Sequence, residues 1–191
     1  MGSWTFIRGV GVVLAILVCA SVAQAGVSNW NAWWTDSSPY DLNQSGFGFD
    51  YGTETWSVWE AYAVPEVDTG ATGCSGLADS DPIIHIEKEI TNGSTFDWYS
   101  YHVAVTGSAG VSLVAGSATS NVFGTIIYGP PGTVNFYAPL PLPIGYTVTI
   151  AFDILVPAGS FSFDISQTPG PIPEPATGLV LALAGLLIRR R

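Results

Sequence analysis

The sequence predicts an all-β domain, an antiparallel β-sandwich of the jelly-roll or immunoglobulin-like kind. Many short segments alternate apolar and polar residues, which is typical of strands with one buried face. Glycine and proline, at 22 and 13 of 191 residues, interrupt the chain too often for helices in its body. The uninterrupted apolar runs lie near the two ends. The predicted sandwich therefore covers residues 26–168, between a leader at 1–25 and a tail at 169–191.

The first 25 residues have the pattern of a secretory signal peptide. Arg8 supplies the positive charge, and residues 10–20 form a short apolar run. Ala23 and Ala25 provide the small-x-small site that signal peptidase reads, so the mature chain is expected to begin at Gly26. A permanent N-terminal membrane helix is the alternative, but the run is short and no stop-transfer flank follows it.

The body of about 145 residues is the size of one domain and is strongly acidic. The formal net charge of the chain is −10, and all fifteen acidic residues lie between Asp36 and Glu174. Apart from Arg8 and three terminal arginines, Lys88 is the only basic residue. Because binding to phosphates requires lysine and arginine, the composition excludes nucleic acid and anionic membrane surfaces as partners.

The body begins with an aromatic-rich stretch and continues into a regular strand. Residues 26–52 contain many aromatic residues separated by Asn, Ser, Gly and Pro, which predicts short strands and turns. Residues 53–63 alternate clearly, with Trp56, Val58 and Tyr62 on one face.

The next segment, residues 65–82, has the composition of a loop and holds the only cysteine of the mature chain, Cys74. With no second cysteine, an internal disulfide is excluded. The glycines on either side of Cys74 predict a tight turn, and the thiol is expected to be buried as a small hydrophobic group.

Residues 83–90 and 96–106 form the clearest strand pair in the pattern. The sequence Asn92-Gly93 between them is typical of a hairpin turn that requires a positive φ, which predicts that these strands pair directly. Five further strands are predicted at residues 110–115, 121–128, 133–137, 145–156 and 160–165.

The C-terminal tail carries an apolar run at residues 176–188 that contains no charge. As a helix it would be ~20 Å long, against ~30 Å of membrane hydrocarbon. A buried core helix is the alternative, but a core helix needs a polar face and this run is apolar on all sides. The run precedes Arg189, Arg190 and Arg191, which prefer the cytoplasmic side of a membrane. These features predict a short transmembrane helix with an arginine stop.

The motif Pro173-Glu174-Pro175, followed by the apolar run and the arginines, resembles the PEP-CTERM sorting signal of exopolysaccharide-producing Gram-negative bacteria. The segment from Asp81-Pro82 through Lys88 to Asn92 is also similar to body segments found in PEP-CTERM proteins. The resemblance implies export, transient anchoring in the inner membrane and processing near the motif by an exosortase-like enzyme. It further implies delivery to the cell surface or extracellular matrix, and it assigns no activity to the body.

The sequence predicts no catalytic site. His85 and His102 are the only histidines, and no G-x-S-x-G nucleophile motif is present. Glu87 and Glu89 are spaced ~7 Å apart along one strand face, a separation that glycosidase carboxylates can have. Two exposed glutamates beside a strand lysine explain them more simply, so an enzyme is not expected.

No cofactor or metal site is predicted, with calcium kept open as a ligand. The segments 66–68 and 79–81 each carry two carboxylates, and calcium accepts six to eight oxygen ligands in flexible geometry. Neither EF-hand spacing nor a calcium-binding repeat is present.

Trp30, Trp33 and Trp34 are candidate carbohydrate-binding residues, because indole rings stack on sugar faces and exopolysaccharide would be the available ligand. The alternative is that they belong to the core. Three tryptophans within five residues cannot all face inward on one strand.

Taken together, these features predict an exported structural protein of the cell surface or matrix, linked to exopolysaccharide or biofilm. A polysaccharide-binding module is the alternative. Tryptophans clustered on a solvent face would favour the binding module, and a buried set would favour the structural role.

Overall fold

The computed structural model describes residues 26–64 and 67–171, which contain strands and no helix. Accordingly, nothing in this part of the chain is a helix able to cross a membrane. The predicted signal peptide and C-terminal helix lie outside the described residues. The strands are β1 (Val27–Asp36), β2 (Gly46–Asp50), β3 (Thr55–Tyr62), β4 (Gly70–Ala78), β5 (Ile83–Asn92), β6 (Trp98–Gly107), β7 (Ser112–Leu113), β8 (Thr119–Ser120), β9 (Thr125–Tyr128), β10 (Thr133–Leu142), β11 (Thr147–Leu155) and β12 (Gly159–Gly170).

The strands form two sheets, so the all-β prediction is confirmed. Sheet A has the order β1-β4-β12-β6-β10-β9. Sheet B has the order β2-β3-β5-β11-β7, with β8 also paired to β11. The prediction of a purely antiparallel sandwich is wrong at one place, because β3 and β5 run parallel. A parallel pair needs a long crossover, and β4 of the other sheet supplies it.

The sheets share one core built by the period-two pattern of the sequence. On β5, Ile84, Ile86 and Ile90 are fully buried. Trp56 of sheet B packs edge-on against Phe163 of sheet A, with ring centroids 5.9 Å apart. The strongest inward face belongs to β11 and the residue after it, with Val148, Ile150, Phe152, Ile154 and Val156 all at 0 % exposure. This is the packing expected of a β-sandwich.

The predicted hairpin between residues 83–90 and 96–106 is wrong. β5 pairs with β3 and β11 in sheet B, whereas β6 pairs with β10 and β12 in sheet A. The connecting residues therefore cross from one sheet to the other as an arch. Both β5 and β6 have a strongly apolar face. These faces can be buried in the core when the chain crosses between the sheets, just as they could in a hairpin.

The buried side chain of Asn92 holds this arch in shape. Its amide nitrogen donates to the carbonyls of Phe96 and Leu142, both at 3.0 Å. Its side-chain oxygen accepts from the backbone and hydroxyl of Ser94 at 3.1 and 2.6 Å. Gly93 does not have a positive φ. The hydrogen bonds of its side chain therefore explain the asparagine at position 92, and no left-handed turn is required.

We expect Gly93→Ala to destabilise the domain by about 1–3 kcal/mol, because overpacking against a fixed backbone forces a shift. A methyl group at this position would overlap the carbonyl oxygen of Tyr62. The matched control is Gly48→Ala on β2, where the added methyl meets nothing within 4 Å. Thermal unfolding of both variants checks this, and an unchanged Tm for Gly93→Ala would contradict the close approach.

The predicted loop at residues 65–82, with its tight turn at Cys74, is wrong for half of its length, because Gly70–Ala78 forms β4 in sheet A. The small residues of β4 do not show the apolar–polar alternation of a strand, because they leave space for aromatic rings. Added methyl groups at Gly70, Gly73 and Gly76 would collide with the side chains of Tyr40, Trp33 and Phe161, respectively.

Candidate functional site

Most of the residues predicted for sorting lie outside the described part of the chain. These are Ala23, Ala25, the motif Pro173-Glu174-Pro175 and the terminal arginines 189–191. Gly26, the predicted mature N-terminus, is described, and its carbonyl accepts a hydrogen bond from the Asp79 amide at 3.2 Å. β12 ends at Gly170, two residues beyond the predicted domain boundary at 168.

The three clustered tryptophans of β1 do not share a face. Trp30 turns inward and stacks on Phe49 of β2 at 4.2 Å between ring centroids. Trp34 also turns inward, and its ring lies 4.7 Å from that of Phe47. These contacts fill the gap between the edge strands of the two sheets. Trp33 faces the opposite way, at 36 % exposure.

Both histidines are half-buried and hydrogen-bonded. His85 Nδ1 lies 2.7 Å from the carboxylate of Asp153 across the β5/β11 pair. His102 lies between the hydroxyl of Ser100 at 3.1 Å and the side-chain oxygen of Asn135 at 2.7 Å.

The Ser100–His102–Asn135 chain has the order of hydroxyl, base and orienting amide that nucleophilic catalysis uses. Ser100 is nevertheless only 2 % exposed. The facing backbone at Gly170 lies so close that an added methyl group there would overlap the Ser100 hydroxyl. The hydroxyl is therefore closed to a substrate in this conformation.

The carboxylates considered for calcium do not meet at one place. Asp68 precedes β4 and accepts from the Ser38 hydroxyl, whereas Asp79 and Asp81 follow β4. Nine strand residues separate the two groups by about 30 Å at the usual rise. Glu66 lies outside the described residues, among which no cluster of three or more His, Cys, Asp or Glu side chains forms.

Cys74 is fully buried at the centre of β4, as expected for a small hydrophobic group. Burial raises the pKa of its thiol. Because the thiolate is the reactive form, this environment suppresses nucleophilic chemistry at Cys74.

The outer face of sheet B carries a shallow surface site formed by Trp59, Glu87 and Glu89. Trp59 is 45 % exposed, and its indole ring lies across Gly46 of the neighbouring strand β2. In the parallel β3/β5 register Trp59 stands opposite Glu89, and Ser57 opposite Glu87. With Val58 and Thr149 these residues line a cavity of about 220 Å³. An exposed ring beside hydrogen-bond acceptors is an arrangement suited to a polar ring-shaped ligand.

A second constellation, the Glu60–Lys88–Gln167 cluster, lies inside the sandwich. Glu60 comes from β3, Lys88 from β5 and Gln167 from β12, so the cluster joins both sheets. The Nζ atom of Lys88 lies 2.6 Å from Oε1 of Glu60, and both side chains are at 0 % exposure. Gln167 Nε2 donates to the other carboxylate oxygen, Oε2, at 2.5 Å.

The cluster is enclosed by tyrosines and is incompletely hydrogen-bonded. Gln167 Nε2 also donates to the Tyr40 hydroxyl at 2.5 Å. The Tyr62 hydroxyl donates to the backbone carbonyl of Gln167 at 3.1 Å. Lys88 Nζ makes no hydrogen bond of good geometry despite its ion pair, and Gln167 Oε1 has no partner. A buried polar atom without a partner costs about 1–3 kcal/mol of folding stability, so this arrangement destabilises the folded domain.

Burial shifts the pKa values of the groups in and around the cluster. It lowers the pKa of Lys88, and the adjacent Glu60 opposes that shift. Burial also raises the pKa values of Tyr40, Tyr62 and Tyr101, with the Glu60 charge acting in the same direction. Burial therefore favours the neutral form of each of these four groups, and only at Lys88 does the Glu60 charge favour the charged form.

Because Lys88 is buried, the described surface carries only negative charges. Of the thirteen acidic residues in 26–64 and 67–171, only Glu60 is buried. The described surface therefore carries no lysine or arginine. A surface of this kind repels polyanions and is attractive to cations.

No protein-family model, curated protein or solved structure matches the chain.

Proposed function

We propose that this chain is an exported structural protein of the cell surface or extracellular matrix, sorted by an exosortase-like system in a Gram-negative bacterium. Its domain would be a sandwich of jelly-roll or immunoglobulin-like type. The observation that carries the structural role is the inward packing of Trp30 and Trp34, since these aromatic side chains close the core at its edge. The tail sequence with its Pro173-Glu174-Pro175 motif supports the sorting route.

Fractionation combined with intact mass tests the sorting route. Glu174→Ala should leave the apolar run able to insert but block processing at the motif, so the unprocessed form should accumulate in the inner membrane at higher mass. Deletion of residues 178–191 removes the stop and should release soluble protein that is not sorted to the surface. Wild-type maturation and location in both variants would contradict the proposal.

A second candidate function is binding of exopolysaccharide at the outer face of sheet B. The exposed Trp59 ring beside Glu87 and Glu89 favours this site over the three tryptophans of β1, of which two are packed inward. A sugar ring would stack on the indole, and its hydroxyl groups would donate to the carboxylates.

We expect Trp59→Ala to weaken binding to purified exopolysaccharide roughly two- to tenfold, the effect of losing one aromatic contact. Trp33→Ala is the matched control, because Trp33 is similarly exposed on the opposite sheet. Affinity electrophoresis in polysaccharide-containing gels measures both variants. Equal retention of the two variants would count against this site.

A further inference from the structure

We propose that Lys88 and Gln167 become joined by an intramolecular isopeptide bond, with Glu60 as the group that carries the proton. The inference goes beyond the proposed surface role and does not depend on it. It starts from the Glu60–Lys88–Gln167 cluster, which places an amine, a carboxamide and a carboxylate together in a core closed to water.

The two oxygens of Glu60 contact the two nitrogen atoms that such a reaction exchanges. Oε1 lies 2.6 Å from Nζ of Lys88, the nucleophile. Oε2 accepts from Nε2 of Gln167 at 2.5 Å, and this nitrogen would be the leaving group. A general acid–base group must be within hydrogen-bond reach of the proton that it moves, and Glu60 meets this condition on both sides.

The reaction balances without an oxidant or another reactant. The Lys88 ammonium transfers a proton to Glu60, and the free Nζ electron pair forms a bond to Cδ of Gln167. The bond between Cδ and Nε2 then breaks, and Glu60 returns the proton to Nε2, which leaves as ammonia. The products are a secondary amide and one ammonia, which takes up the remaining proton from the former ammonium group as it reaches solvent.

The surroundings of the cluster favour this reaction. Burial lowers the pKa of Lys88, which raises the share of the neutral, nucleophilic amine. Lys88 Nζ makes no hydrogen bond of good geometry and Gln167 Oε1 has no partner, so the reaction breaks no hydrogen bond at either atom.

The bond would give the domain a covalent link that it cannot obtain from cysteine. Cys74 is the only cysteine of the described residues and is buried away from any partner thiol. Lys88 lies on β5 in sheet B and Gln167 on β12 in sheet A, so the amide would tie the two sheets together. Its closed loop would run through most of the second half of the domain.

Mass spectrometry of the purified full-length chain tests the proposal. The wild type should be lighter by about 17 Da, the mass of one ammonia, than the mass calculated for the residues that the purified chain contains. After denaturation and proteolysis, the peptides that contain Lys88 and Gln167 should appear as one linked species. Trypsin should also fail to cut after Lys88, because its side chain would no longer be a free cation.

Three variants serve as controls: Lys88→Arg keeps the charge without the nucleophile, Glu60→Gln removes the proton carrier, and Gln167→Leu removes the acceptor. Each should retain its full mass and yield two separate peptides. If a variant does not fold, the wild-type peptide map still decides. A wild type at full sequence mass with separate Lys88 and Gln167 peptides overturns the proposal, whatever the location of the protein in the cell.

Discussion

Raising the pH from about 9 to about 12 is expected to unfold the domain cooperatively, because three buried tyrosines must ionise. Tyr40, Tyr62 and Tyr101 have raised pKa values, mainly because of burial. A raised pKa in the folded state leaves stability intact below the ordinary value of ~10, and that stability is lost as the pH rises above it.

The magnitude follows from the number of groups. Each tyrosine removes about 1.4 kcal/mol per pH unit in this range, so the three together remove about 4 kcal/mol per unit. An unmodified Lys88 would offset one of them below about pH 10.4, because a lowered pKa makes stability rise with pH up to the ordinary lysine value. Cys74, whose pKa is also raised, adds to the loss. A typical stability of 5–15 kcal/mol would be exhausted within a few pH units.

Tyrosinate absorbance and circular dichroism, recorded in parallel, measure this transition. Tyr101→Phe should move the midpoint to higher pH, because it removes one of the three buried hydroxyls. Tyr146→Phe, at an exposed position, should leave the midpoint unchanged. Ionisation of all eight tyrosines before any loss of structure would show that these side chains are not buried as described.

Trp98→Ala is expected to cost about 3–5 kcal/mol of unfolding free energy, the usual range for removing a large buried aromatic side chain. Trp98 is at 0 % exposure and packs edge-on against Tyr62, with ring centroids 5.1 Å apart. Its indole N–H donates to the Ser94 hydroxyl at 2.9 Å, which joins it to the arch after β5. The substitution therefore removes core volume and a hydrogen bond of the arch together.

Urea denaturation provides the measurement, with Trp98→Phe and Trp59→Ala as companions. Trp98→Phe keeps a ring and loses the hydrogen bond, so it should fall between the wild type and Trp98→Ala. Trp59→Ala removes the same side chain from an exposed position and should change stability by only about 0.5 kcal/mol. A similar cost for the alanine variants at both positions would mean that the core is not centred where the structure places it.

Alternation along the sequence was sufficient to predict the all-β class and most strands. It identified the buried face of β3, because an inward residue at every second position is required by the strand itself. It could not identify which strands pair. Asn92-Gly93 satisfies a hairpin and an inter-sheet arch equally well in local terms, and the choice depends on contacts with Tyr62 and Leu142 that are distant in sequence.

The buried cluster left a signal that the sequence interpretation did not use. Glu60 follows Trp56 and Val58 on the inward face of β3, and Lys88 falls in phase with the buried isoleucines of β5. Gln167 continues the inward series of Phe163 and Ile165 on β12. One polar residue on each of three apolar faces indicates that the three residues meet in the core, since buried charges are found paired. Which face meets which could only come from the tertiary structure.

The position of β12 has a mechanical consequence for the proposed anchoring of the chain through its C-terminal tail. β12 lies between β4 and β6 and is hydrogen-bonded to both neighbours along most of its length. A pull on Gly170 along the strand axis would load these hydrogen bonds in parallel, and they would have to break together. An edge strand pulled away from its single neighbour would instead release its hydrogen bonds one after another. Tension applied through the tail would therefore act along the direction in which the sheet resists unfolding most strongly.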